Sequence, residues 1–219
     1  MTLQHPVVLF DLDGTISDNS VGITNGIVRA LAHFGITIDP AEAGRYIGPP
    51  LRVVFPQLGV DPARVEDAVS VYRQYYDHIG WAENVLYDGV AAVLRALVAS
   101  GRTVATATSK PDVSARRILE HFGLAENFQY IGAATLDGRR DHKHEVVAHT
   151  LEVLGVDPDD AVMVGDRSHD VEGARMAGVG ACIGVTWGFA LPGELEAAGA
   201  SPIVADAGQL ARALSVELS

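Results

Sequence analysis

Four times in this chain a helical segment stops at a glycine and gives way to a short apolar run, and this rhythm constrains the fold more than any other feature. The segments 90–100, 113–122, 143–154 and 171–177 end at Gly101, Gly123, Gly155 and Gly178. A glycine just past a helix takes up the left-handed conformation that ends it at low cost. The apolar runs are 7–10, 103–107, 129–132, 161–164 and 180–185, each of strand length. Strands that alternate with helices predict βαβ winding. The expected fold class is therefore α/β, a Rossmann-like doubly wound parallel sheet.

The stretch from about 20 to 84 breaks the rhythm and reads as helices only, at 21–34 and 62–79 around a Pro-rich middle at Gly48-Pro49-Pro50. Ile23, Ile27, Leu31 and Phe34 recur at helical spacing, which predicts one apolar face. A helical block between the first and second strands predicts a second small domain, with core segments 1–16 and 85–219 and an all-helical insertion over 17–84.

Composition narrows the partners. Sixteen Lys and Arg against 28 Asp and Glu give a net charge of −12. That field repels nucleic-acid backbones and anionic lipid, so neither nucleic acid nor a membrane is expected as a partner. A small anionic substrate would need a cation or a few placed Lys and Arg. The single cysteine, Cys182, can form no internal disulfide, which fits a reducing compartment. The opening MTLQHPVVLFDLD carries no cationic segment, so no signal peptide and a cytoplasmic location are expected.

The first apolar run ends in Asp11-Leu12-Asp13-Gly14-Thr15. Ligands of open α/β sheets sit beyond the carboxyl ends of strands, and two carboxylates there can serve one site and hold a hard cation such as Mg²⁺. The plainer account is a solvated turn rich in Asp and Gly. The second run ends in Thr108-Ser109-Lys110-Pro111, whose hydroxyls and N–H groups could cradle a phosphate or cap a helix. The fourth ends in Gly165-Asp166-Arg167-Ser168-His169-Asp170 and delivers two more acids at i and i+4, compatible with one face of a helical turn. Lys143, in Arg140-Asp141-His142-Lys143-His144, reads on its own as solvated surface.

Taken together and in this order, these four elements resemble the haloacid dehalogenase-like phosphohydrolases over essentially the whole chain. Asp11 to Thr15 is similar to the first motif of that family, Thr108 to the second-motif hydroxyl, Lys143 to the third-motif lysine, and Gly165-Asp166 with Asp170 to the fourth. The insertion resembles the helical cap. Gly48-Pro49-Pro50, Thr108-Ser109-Lys110-Pro111 and Trp187-Gly188-Phe189 are most similar to the phosphoglycolate phosphatase-like branch.

The resemblance implies a Mg²⁺-dependent phosphatase acting on a small phosphorylated metabolite, phosphoglycolate- or nucleotide-like. Asp11 would be the nucleophile, forming an aspartyl-phosphate, and Asp13 the acid–base. Mg²⁺ would be held by the Asp11 carboxylate, the Asp13 backbone carbonyl and Asp166, with Asp170 in support. Thr108, Ser109 and Lys143 would bind the phosphoryl oxygens, and Arg45 and Arg52 of the cap are candidates for substrate specificity. A second resemblance, carried by 19–34, 81–84, 115–119 and 167–171, is to a protein tyrosine kinase built on the same fold. It implies phosphotransfer to a protein substrate, although no Walker-type loop and no protein-kinase signature is visible. His142, His144 and His149 lack the spacing of helical metal ligands and read as solvated, and Cys182 reads as a buried, inert thiol.

Overall fold

The computed structural model describes residues 3–218, so the first two residues of the expected 1–16 segment and the last of 85–219 lie outside the described residues. The strands are β1 (Val7–Phe10), β2 (Ser17–Asp18), β3 (Val85–Leu86), β4 (Thr103–Pro111), β5 (Tyr130–Ala134), β6 (Ala161–Gly165), β7 (Ala181–Val185) and β8 (Ile203–Val204). The helices are α1 (Ser20–His33), α2 (Pro40–Ala43), α3 (Leu51–Gln57), α4 (Val65–Tyr76) and α5 (Val90–Ala99). They continue with α6 (Asp112–His121), α7 (Lys143–Leu154), α8 (Ser168–Met176), α9 (Glu194–Ala198) and α10 (Ala207–Ala213).

Six strands pair in the order β5-β4-β1-β6-β7-β8, all parallel. β1 lies inside the sheet, with Val7 beside both Thr103 and Ala161. Its four residues are all buried, as expected of an apolar strand covered on both faces. Because side chains alternate along a strand, Val8 and Phe10 join one core with α5, α6 and α10, through Leu94, Leu97, Ile118, Leu119 and Leu210. Val7 and Leu9 join the other with α7 and α8, through Val146, Val147, Leu151, Val171 and Ala174. The strand is thus clamped from both sides, and the residues just beyond Phe10 are rigidly placed.

The chain divides into two compact units, Met1–Ser17 with Leu86–Ser219, and Asp18–Val85. Each division falls one residue later than the sequence predicts. In the Asp18–Val85 unit α1 packs on α4 through buried Ile23, Ile27 and Leu31, while Phe34 stays half-buried beside the helix end. The short α2 and α3 lie in the Pro-rich stretch for which no helix is predicted. Among the described residues, no helix is long and apolar enough to cross a membrane.

Candidate active site

Asp11 follows β1 directly, and its N–H donates to the Val164 carbonyl at 2.9 Å. The chain then folds back sharply, with Ile16 N–H on the Leu12 carbonyl at 2.9 Å. Gly14 has φ +84°, and a methyl group there would overlap the Asp166 carboxylate, so both conformation and space demand glycine. The turn aims Thr15 at Asp166, whose Oδ1 accepts from Thr15 Oγ1 at 3.0 Å.

β4 runs past its predicted end at 107 to Pro111. Thr108 still pairs with Ala133, but the register shifts before Pro111 meets Ala134, so Ser109 and Lys110 sit in an irregularity at the strand's carboxyl end. The Thr108 hydroxyl is buried and accepts the Lys110 N–H at 3.2 Å, and no side chain caps α6. Thr108 therefore does not serve as a helix cap here. Lys110 reaches back to Asp13, with Nζ 2.8 Å from Oδ2.

Lys143 opens α7 and is only 7% exposed, so the surface reading of this residue in isolation is corrected. Glu145 accepts the N–H groups of Asp141 and His142 at 3.1 and 3.0 Å, which fixes the helix start. Lys143 Nζ then lies 2.8 Å from Asp11 Oδ1 and 2.8 Å from Asp170 Oδ1, and donates to the Ala107 carbonyl at 3.0 Å.

Asp166 and Asp170 do not share a helix face, as i, i+4 spacing suggests. Asp166 follows β6, whereas Asp170 lies in the first turn of α8, where its Oδ2 accepts the Arg167 N–H at 3.0 Å. It serves the helix start and the site at once. Asp11, Asp166 and Asp170 bring oxygens within 4.8 Å of one another, all three buried. Asp13 is not in that cluster, and its carboxylate faces Lys110 instead.

The electrostatics follow from burial and crowding. Burial alone would lower the Lys143 pKa, but the Asp11 and Asp170 carboxylates reverse this and hold it above its ordinary value. Burial, with the charges of Asp170 and Asp11, raises the Asp166 carboxyl well above the usual range, against the Phe189 N–H and Thr15 hydroxyl that favour its anion. Asp170 is raised mainly by burial, with Lys143 pulling it back and Asp11 adding to the rise. Three buried carboxylates facing one ammonium leave an excess of negative charge, and the donors are all oxygen. That set fits a hard divalent cation such as Mg²⁺, which takes carboxylate oxygens.

Arg45 is exposed in the turn Gly44–Tyr46, and Arg52 donates to both carboxylate oxygens of Glu66, at 2.6 and 3.1 Å, within the Asp18–Val85 unit. Cys182 is buried, and burial pushes its thiol pKa up, as an inert thiol requires. His142 is exposed, while His144 and His149 are half-buried.

Sequence reasoning missed three participants. Thr15 and Lys110 lie inside the motif strings at the ends of β1 and β4, yet their partners are 151 and 97 residues away. Glu194 had no signal at all. Its Oε1 accepts from Arg167 Nε and Ser168 N–H, both at 2.8 Å, and its Oε2 accepts the Leu191 N–H at 2.9 Å. Partial burial alone would raise the Glu194 pKa, but these donors pull it down to about 2.

A family model described as haloacid dehalogenase-like hydrolase matches residues 8–184. The chain is 45% identical over 197 residues to a 5'-nucleotidase from Pseudomonas aeruginosa, covering 89% of each. It is 41% identical over 184 residues to tyrosine-protein kinase PtkA from Mycobacterium tuberculosis, covering 84% of this chain and 62% of that protein. Among solved structures, a predicted phosphatase from Clostridium acetobutylicum superposes with a TM-score of 0.91 at 40% identity, covering 95% of this chain and 97% of that one.

Proposed function

Because the chain belongs to the haloacid dehalogenase-like hydrolases, we propose that it is a Mg²⁺-dependent phosphatase that hydrolyses a small phosphomonoester through an aspartyl-phosphate on Asp11. The observation that carries this reading is the separation of the two β1-end acids. Asp11 lies in the buried cluster against Lys143, whereas Asp13 stands outside it against Lys110. A nucleophile has to be held in place for attack, and Lys143 Nζ holds the Asp11 carboxylate at 2.8 Å. An acid–base has to exchange protons with substrate and water, and Asp13 is the more exposed of the two, at 17% against 10%.

In the first step an Asp11 carboxylate oxygen attacks phosphorus, the bond to the ester oxygen breaks, and Asp13 gives its proton to that oxygen. In the second, Asp13 takes a proton from water, which attacks phosphorus and releases inorganic phosphate and free Asp11. Lys143, the Thr108 hydroxyl and the Ser109 N–H are assigned to the phosphoryl oxygens, where charge develops. Asp11, Asp166 and the Asp13 backbone carbonyl would hold Mg²⁺, with Asp170 in support. The bound ion would supply the positive charge that lets a carboxylate approach a phosphate.

The 45% identity to a 5'-nucleotidase supports a nucleotide-like substrate beside a phosphoglycolate-like one. Arg45 and Arg52 are the residues we assign to the part of the substrate beyond the phosphoryl group. The similarity to a tyrosine kinase favours a second reading, phosphotransfer to a protein, although this chain spans 62% of that kinase's length. A phosphate-release screen over a metabolite panel, with Mg²⁺ and with EDTA, tests the proposal. A parallel arm with ATP and a protein acceptor tests the alternative. Release that needs Mg²⁺ and favours a small monoester supports the phosphatase. Transfer to tyrosine without such release supports the kinase.

A further inference from the structure

The segment after β7 contacts the acidic cluster at points that the proposed chemistry does not use. Trp187 Nε1 donates to the Thr15 carbonyl at 3.1 Å, which ties the segment to the turn that carries Asp13. The Phe189 N–H donates to Asp166 Oδ2 at 2.7 Å, so Asp166 is gripped by Thr15 on one oxygen and by this segment on the other. Between them, a methyl group on Gly188 would overlap both the Gly14 carbonyl oxygen and the Asp166 carboxylate. The two turns are in contact with no space for a side chain.

Glu194 closes the segment. Its bond to the Leu191 N–H folds 191–194 into a local turn. Its other oxygen receives the first N–H of α8, from Ser168, together with the Arg167 guanidinium. Both groups flank Asp166 and Asp170, so Glu194 fixes the backbone on which two of the three clustered acids are mounted. It also holds the charge of Arg167. That guanidinium, on the residue next to Asp166 and 9% exposed, is paired with Glu194 at 2.8 Å.

We propose that the 187–194 segment, through the Phe189 N–H, Gly188 and Glu194, is the positioning element of the divalent-cation site. This rests on the assignment of Asp11, Asp166 and Asp170 to a divalent cation. Partners behind the ligands of a metal set ligand orientation, and losing one typically lowers affinity by about 10–100-fold.

The test is calorimetric titration of Mn²⁺ alone into the full chain, prepared metal-free, at 25 °C. Wild type, Glu194→Gln, Glu194→Asp and Gly188→Ala are compared. Melting in EDTA and near-ultraviolet circular dichroism report folding separately. Glu194→Gln and Gly188→Ala are expected to bind Mn²⁺ about 10–100-fold more weakly while folded at 25 °C, with Glu194→Asp in between. A residue that only supports the fold would lower the melting midpoint in EDTA and leave the binding constant unchanged. Arg167→Lys, a gentler change that keeps the cation, replaces any variant that does not fold. It is expected to weaken binding in the same direction. Wild-type binding with unchanged constants in the folded variants overturns the role of the segment and leaves the metal assignment standing. Failure of the wild type itself to bind overturns both.

Discussion

Replacing Asp166 by Asn should abolish turnover and yet make the metal-free protein more stable. Asp11, Asp166 and Asp170 lie within 4.8 Å of one another, and at an effective dielectric of about 20 each like-charge pair at that separation costs about 3.5 kcal/mol. Lys143 relieves Asp11 and Asp170 directly, whereas Asp166 relies on the Thr15 hydroxyl and the Phe189 N–H. Wild type limits the cost by protonation, as the raised Asp166 carboxyl indicates. Asn removes the charge but keeps one acceptor oxygen for two donors, which costs about 1–2 kcal/mol. The net gain is therefore at most about 6 kcal/mol, two pairs less the lost hydrogen bond, and protonation of wild type reduces it further; the sign, a higher melting midpoint for the variant, is what the assay reads.

The pH dependence has a definite sign. A carboxyl whose pKa is raised by folding binds its proton more tightly in the folded state, so wild-type stability falls as pH rises from the ordinary carboxylate range toward the raised value. The advantage of Asp166→Asn should therefore vanish near pH 4 and grow toward pH 8. The assay is thermal unfolding in EDTA at several pH values, repeated with Mg²⁺. Magnesium should raise the wild-type midpoint and leave the variant unmoved. A variant that melts at or below wild type in EDTA at pH 8 refutes the charge argument.

Lys110→Met removes the ammonium that holds the Asp13 carboxylate at 2.8 Å, so the acid–base loses its fixed position at the leaving group. It should lower kcat/KM on an alkyl phosphomonoester by about 10–100-fold, and act far less on p-nitrophenyl phosphate, whose leaving group needs no proton. Equal losses on both would place Lys110 on the phosphoryl group instead. Arg52→Ala should cost about 10–100-fold in kcat/KM, or about 1.4–2.7 kcal/mol, on the best anionic substrate and little on p-nitrophenyl phosphate. Its melting midpoint should hardly move, because the Glu66 partner is 68% exposed and such pairs contribute little. An equal loss on both substrates would end the assignment of Arg52 to specificity.

The parallel winding was legible because apolar runs such as 7–10 and 161–164 are buried on both faces and are separated by glycine-stopped helices. What escaped had physical reasons. β4 overran its predicted end because Ser109-Lys110-Pro111 looks like a helix start, while the structure uses it as an irregular strand end. β8 has two residues, too few for any periodicity, and α3 carries Pro56 inside it and follows Pro50. At the site, the acids were visible because strand ends are where ligands bind. The burial of Lys143 was hidden by its polar neighbours, Arg140, Asp141 and His142, and only its place as the third-motif lysine emerged, by resemblance. Thr15, Lys110 and Glu194 act on partners far along the chain, so only the fold makes their roles readable.

The proposed mechanism stands or falls on whether Asp11 becomes covalently phosphorylated during turnover. Wild type and Asp13→Asn should be mixed with p-nitrophenyl phosphate and Mg²⁺, quenched within one turnover, and treated with hydroxylamine before peptide mass spectrometry. A hydroxamate is expected at Asp11, and it should require both substrate and Mg²⁺. The signal should build up in Asp13→Asn, whose second step lacks its base, and be absent from Asp11→Asn. Wild-type phosphate release by Asp11→Asn, or a trapped phosphoryl group on any other residue, would contradict it.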